Sequence, residues 1–196
     1  SQAEEPACNT GARPPPLARR AGHAAYAPCT VDDLRSKSYD YWARGHVHER
    51  EIVSEAPHIV FPGNIQGRSV RETGPRGAVL VEVADRDVIG VTPVELDVIR
   101  WERVEVDCTG VDADEAVPLM RTALAAAHSD LAAGRPLIVR LVLVGETEAA
   151  GQLRDRIPAL RDEARPVASA ISAALAFEPF QVPVQPPLAR PAAVAT

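Results

Sequence analysis

Tyr39-Asp40-Tyr41-Trp42-Ala43-Arg44-Gly45-His46-Val47-His48 is the stretch from which the architecture is best read. Its aromatic and apolar residues predict a strand over 39–47. Side chains alternate along a strand, so His46 and His48 are expected on one face, with Gly45 leaving room beside them. Two imidazoles so placed can each offer a nitrogen to one metal ion, or one each to two adjacent ions. Spacing alone is a weak signal, because two surface histidines on a loop give the same pattern.

Working outward, Thr30 followed by Val31, Asp32 and Asp33 predicts a helix N-cap with acids in the first turn, and a short helix ending near Lys37. Downstream, 59–61 and 77–84 predict further strands separated by Gly, Pro and Asn turns. As far as about Val91 the chain reads as half of a sheet-based domain. From Val94 the texture changes to strand, helix, strand, helix, which predicts a small α/β lobe over 94–177. Val104-Glu105-Val106-Asp107 alternates as a half-exposed strand does. Asp114 is placed to cap a helix whose apolar positions are Val117, Met120, Leu124, Ala127 and Leu131, with Pro118 in its first turn and Gly134 at its end. The run 137–144 is nearly all apolar and predicts a strand covered on both faces. The last helical pattern, from Leu153 through Leu160 to Leu175, is crossed by Pro158 and Pro166 and is expected in two or three pieces.

The chain has 196 residues, enough to bury a core of ordinary size. Five of its 18 prolines precede Thr30 and five follow Phe177, so residues 1–21 and 178–196 read as a loose arm and a Pro-rich tail. No apolar run reaches the roughly 18 residues of a membrane helix, and 1–9 lacks the marks of a secretion signal. Three scattered cysteines (Cys8, Cys29, Cys108) make neither a disulfide framework nor a paired metal motif, so a soluble, cytoplasmic protein is expected. The net charge of −6 argues against holding DNA by a broadly basic surface. Lys37 is the only lysine among 21 basic side chains, which we read as genome composition.

Gly45-His46-Val47-His48, then Phe61-Pro62-Gly63-Asn64-Ile65-Gln66-Gly67-Arg68, then Arg71-Glu72-Thr73-Gly74-Pro75-Arg76-Gly77 together resemble the C-terminal half of calcineurin-like metallophosphoesterases. The likeness is nearest to bacterial DNA-repair exonucleases of the SbcD kind. Gly22-His23, Tyr26-Ala27-Pro28-Cys29, Asp32-Asp33-Leu34 and Val98-Ile99-Arg100-Trp101 also look like that family's pattern. The resemblance implies an α/β (α+β) fold, in which 22–93 is the C-terminal part of a metallophosphoesterase β-sandwich and 94–177 a capping lobe. It further implies a dinuclear site, commonly of manganese, with His46 and His48 as metal ligands and Gly45 and His23 supporting them. DNA, an ATPase subunit of the structural-maintenance kind and a second copy of the chain are the partners it implies. The family's earlier motifs, Asp-x-His, Gly-Asp-x-x-Asp and Gly-Asn-His-Asp or -Glu, do not occur in the 44 residues before Gly45, and Ala7 stands where a ligand histidine belongs. The expectation is therefore a C-terminal nuclease fragment with little activity alone. The alternative is a non-catalytic module that retains the capping lobe to bind DNA or a partner.

Asn64, Gln66 and Arg68 lie in a Gly-flanked turn and have two readings: a loop bordering the metal site and touching phosphate, or a turn whose polar groups satisfy its own backbone. Arg71, Glu72 and Arg76 either line a DNA path or form a solvated turn. His58 and His128 read as surface residues, Trp101 as a core anchor, and Cys29 and Cys108 as structural.

Overall fold

The computed structural model describes residues 10–13 and 30–187. These fall into two units, one from 1–67 with 75–97 and the other from 68–74 with 98–196. The mixed α/β architecture expected from the sequence is what they show.

The first unit holds β1 (Thr10–Arg13), α1 (Val31–Arg35), β2 (Tyr41–Arg44), β3 (Glu51–Glu55) and β4 (His58–Phe61). Its sheet has the order β1-β2-β4-β3, with β1, β2 and β4 parallel and β3 antiparallel to β4. Helix α1 forms where its cap predicts: the Thr30 hydroxyl accepts from Asp33 N–H, and the Asp33 carboxylate accepts from Thr30 N–H, closing a capping box. Its one buried residue, Leu34, packs with Trp42 and Ile59, which are register partners on β2 and β4. A separate hairpin follows, β5 (Gly77–Ala84) and β6 (Asp87–Glu95), which pair only with each other among the described residues. Strands β3 and β6 carry charge, Pro or Gly among their apolar residues and are not foreseen by the pattern of 39–84.

The second unit runs β7 (Arg100–Asp107), α2 (Ala116–Leu131), β8 (Leu137–Val144), α3 (Ala150–Asp155), α4 (Ile157–Ile171), β9 (Leu175–Phe177). Its three strands are parallel, in the sequential order β7-β8-β9. Parallel crossovers are right-handed, so two successive steps in one direction put both connecting helices on the same face. Burial agrees. Leu137, Val139, Leu141 and Leu143 are fully buried together with Met120 and Leu124 of α2 and Leu160 and Ala164 of α4. On the opposite face Ile138, Arg140 and Val144 are only half-buried, and Val142 alone is enclosed. The strand is therefore not covered equally on both faces; helices pack on one side only.

Other expectations change in detail. The α2 helix starts at Ala116 with no side-chain cap, and the Asp114 carboxylate instead pairs with the Arg156 guanidinium at 2.6 Å. The last helical pattern does break into two pieces, but between Asp155 and Ile157. Pro158 sits in the first turn of α4, where a missing N–H costs nothing, and Pro166 is carried inside the helix. Leu175 belongs to β9, not to a helix. The Pro-rich stretch beyond it packs as far as it is described: Phe180 and Val184 are buried, and Gln181 and Gln185 bridge to Val142 and Glu146. Apolar residues every four positions between prolines give an extended segment enough burial to lie along β8.

Candidate metal-ligand loop

Strand β2 ends at Arg44, so His46 and His48 lie on a loop and not on a strand. The correction has a local cause. His46 takes φ +80, a left-handed conformation that ends extended structure. With the strand lost, the expected sharing of one face no longer follows from alternation. Val47 is buried, while Gly45, His46 and His48 are exposed, so both histidines stand at the surface on either side of an apolar peg. Beneath the loop Arg44 is 1% exposed, its guanidinium 6.0 Å from the centre of the Phe61 ring.

Parallel pairing of β2 and β4 brings their C-terminal ends to one edge of the sheet. The loops that leave them, 45–50 and 62–67, therefore meet. The His48 carbonyl accepts from the Asn64 N–H at 3.2 Å and from the Arg76 guanidinium at 2.6 Å. Gly63, at φ +80, lies so close that a Cβ there would sit 2.9 Å from the His48 carbonyl oxygen and 3.1 Å from the Arg50 nitrogen. The Asn64 carbonyl then accepts from the Gly77 N–H at 3.1 Å, and the Arg76 carbonyl from the N–H groups of Leu96 and Asp97. The histidine loop is thus tied to the glycine-rich turn and to the base of the hairpin.

The two readings of that turn now separate. The Asn64 side-chain amide donates to the Gln66 carbonyl at 3.1 Å, and the Gln66 amide to the Gly67 carbonyl at 2.8 Å, so both bond to their own turn. Asn64 Oδ1 is nevertheless buried without a hydrogen-bond partner, an acceptor left open in the loop that holds His48. Arg68 belongs to the second unit, where its N–H donates to the Glu72 carboxylate at 2.9 Å and its guanidinium lies 3.9 Å from the same oxygen. His23 lies outside the described residues, as do Cys8 and Cys29. His58 is half-buried on β4 and stacks on Tyr41, with ring centres 6.4 Å apart. Burial pushes the Tyr41 hydroxyl pKa up. His128 is half-buried in the last turn of α2, Trp101 is half-buried on β7, and Cys108 is wholly buried. What sequence reasoning missed was the role of Arg76 as a staple on the His48 carbonyl. No signal in the sequence distinguishes it from Arg71, because the bond is made to a backbone 28 positions away.

Two imidazoles fit a divalent transition metal as donors, and the open Asn64 oxygen is compatible with a cation nearby. They are too few to complete a centre, and no group of three or more His, Cys, Asp and Glu that could hold a metal ion occurs among the described residues. No described helix is long and apolar enough to cross a membrane.

Residues 101–184 match the family model of the middle domain of metallophosphoesterase YhaO. A relative named as an uncharacterized metallophosphoesterase YhaO, from Bacillus subtilis (strain 168), is 39% identical over 125 residues, which is 63% of this chain and 30% of the relative. Both support a metallophosphoesterase family. The chain spans less than a third of the relative's length. The named likeness is to YhaO proteins, which supports the metallophosphoesterase reading of the motifs of 45–77 without reaching the SbcD kind of exonuclease in particular. The family model falls on the second unit and leaves the histidine loop outside its bounds. Metallophosphoesterases use metal ions, but the described residues form no group of ligands that could hold one.

Proposed function

We propose that this chain is part of a metal-dependent phosphodiesterase acting on DNA, in which His46 and His48 supply two of the ligands of a dinuclear centre. The observation that carries the reading is the loop itself. Two exposed histidines flank a buried valine at the C-terminal edge of parallel strands, and the backbone of the second is held by Arg76 and Asn64. When bound, a pair of divalent ions, manganese being our choice, would activate water and stabilise charge on the phosphodiester oxygens. The chain's own residues do the positioning. His46 and His48 present their ring nitrogens, Gly63 lets the turn approach, and the Asn64 and Gln66 amides hold that turn in place. Two donors leave the centre incomplete, so the isolated chain is expected to be inactive.

The test uses bis(p-nitrophenyl) phosphate and single- and double-stranded oligonucleotides with manganese, alongside calorimetric titration of manganese into the chain. Weak manganese binding that disappears in His46→Ala and His48→Ala, with negligible hydrolysis, is the expected result. Robust digestion abolished by His46→Ala would refute the incomplete centre, and manganese binding unaffected by both substitutions would refute the ligand assignment.

The second reading, a non-catalytic module for DNA or a protein partner, draws on the second unit. That unit has a core of its own, and the face of its sheet turned from the helices carries Trp101, Arg103 and Arg140. Salt-dependent retention on DNA in the presence of a chelator would favour it.

A further inference from the structure

The second unit contains a pocket of about 370 Å³ between α4 and β9, remote in sequence from the histidine loop. One wall is a polar stripe of α4, in which Arg161, Arg165 and Ser169 recur every four residues and so share a face. The other is β9 and the two residues after it, where Leu175 is buried and Phe177 is half-buried with its ring edge-to-face with Phe180. β9 pairs only with β8 among the described residues, so it is an edge strand with its far side open.

The charges in this pocket are unevenly matched. Glu178 already pairs with Arg140, on the face of the sheet turned from the helices, so its carboxylate is drawn away from the pocket and leaves the arginines unopposed there. Arg165 pairs with Asp162 at 3.2 Å, but both side chains are more than 60% exposed, and such a pair is easily exchanged for a better anion. Arg161 makes no ion pair or hydrogen bond among the described residues. Two guanidiniums one helical turn apart, with a hydroxyl one turn further, can converge on a doubly charged phosphate monoester. The space exceeds what an inorganic ion fills, and its remaining wall is the apolar and aromatic surface of Leu175 and Phe177. A ligand with a charged end and a flat apolar body is the match for such a lining.

We infer that this pocket binds a nucleoside bearing a 5′-phosphate monoester, with the phosphate on Arg161, Arg165 and Ser169 and the base against Phe177. The same chemistry is offered by a free mononucleotide and by the phosphorylated end of a strand. The inference does not rest on the hydrolase reading, since none of these residues belongs to the metal-ligand loop.

The experiment titrates the whole chain, in chelator and at low salt, with deoxyadenosine monophosphate, inorganic phosphate, deoxyadenosine, and a trinucleotide with and without a 5′-phosphate. Binding is followed by calorimetry and by amide NMR shifts. The mononucleotide should bind saturably, at least about tenfold more tightly than phosphate or the nucleoside, with shifts clustered in 161–179. Arg161→Gln with Arg165→Gln should weaken it by at least about tenfold, one lost charge-assisted contact being enough for that, while leaving the thermal midpoint unchanged. A phosphorylated trinucleotide that binds more tightly still would identify the strand end as the source and support the site. The inference is overturned if phosphate alone binds as well as the nucleotide, if the double variant binds normally, or if no saturable shift appears. It is also overturned if His46→Ala with His48→Ala removes binding, because the ligand would then sit at the histidine loop.

Discussion

Replacing Gly63 by Ala tests the brace on the histidine loop directly. The substitution has two costs that the structure separates. Holding an L-residue at φ +80 costs about 1–2 kcal/mol. The added Cβ would lie 2.9 Å from the His48 carbonyl oxygen and 3.1 Å from the Arg50 nitrogen. Both are backbone atoms that cannot swing aside, and overpacking of this kind adds about 1–3 kcal/mol. The sum is about 2–5 kcal/mol. Gly74 supplies the control, because it has φ +78 but a Cβ there would meet nothing within 4 Å, so Gly74→Ala should cost only the conformational part. Urea unfolding followed by Trp42 fluorescence, in a Trp101→Phe background, reads the first unit; both tryptophans together read the Gly74 variant. The His48 ring resonance should also move in Gly63→Ala while that of His128 stays in place. A Gly63→Ala penalty no larger than that of Gly74→Ala, with the His48 resonance unmoved, would refute the claim that this turn positions the ligand loop.

Leu141→Ala removes a wholly buried side chain from the second core and should cost about 2–5 kcal/mol by thermal or urea unfolding; a loss below about 1 kcal/mol would show that β8 is not central to that core. The Asp107 carboxyl is held below the usual carboxylate range by the Thr109 hydroxyl and then the Thr109 N–H. A depressed folded value means that its contribution is present above the ordinary carboxylate pKa and is lost as pH falls through the depressed one. Thr109→Val should therefore raise the Asp107 titration seen by NMR and flatten the acid side of the stability profile; an unmoved titration would refute the assignment. Burial, with the Asp107 charge beside it, pushes the Cys108 thiol up, so iodoacetamide should leave this residue unlabelled in peptide maps of the folded chain and label it only on unfolding.

Much of the second unit was legible because its signals are local. The helix α2 follows from apolar residues at helical spacing, and 137–144 is a strand by composition alone. Coverage of that strand was misjudged because it depends on where β9 joins the sheet, a long-range choice that the residue pattern of β8 does not carry. Asp114 was read as a cap because short acids favour that position, but an arginine 42 residues on competes for its carboxylate. At the histidine loop both imidazoles are exposed on either side of buried Val47, but they stand on a loop and not on the strand that the pattern of 39–47 suggests. The left-handed turn at His46 leaves no mark in the sequence, since glycine, not histidine, is the residue that announces one. The staple from Arg76 was equally invisible, because its partner is a carbonyl that every residue possesses.

Every buried side chain in the core of the second unit comes from the interval 104–184. The interval recognised as a middle domain, 101–184, is therefore also a self-sufficient packing module. Such a cassette can have its outer surface rewritten without repacking its interior. Substitutions on its surface are then free to accumulate while the interior stays as it is.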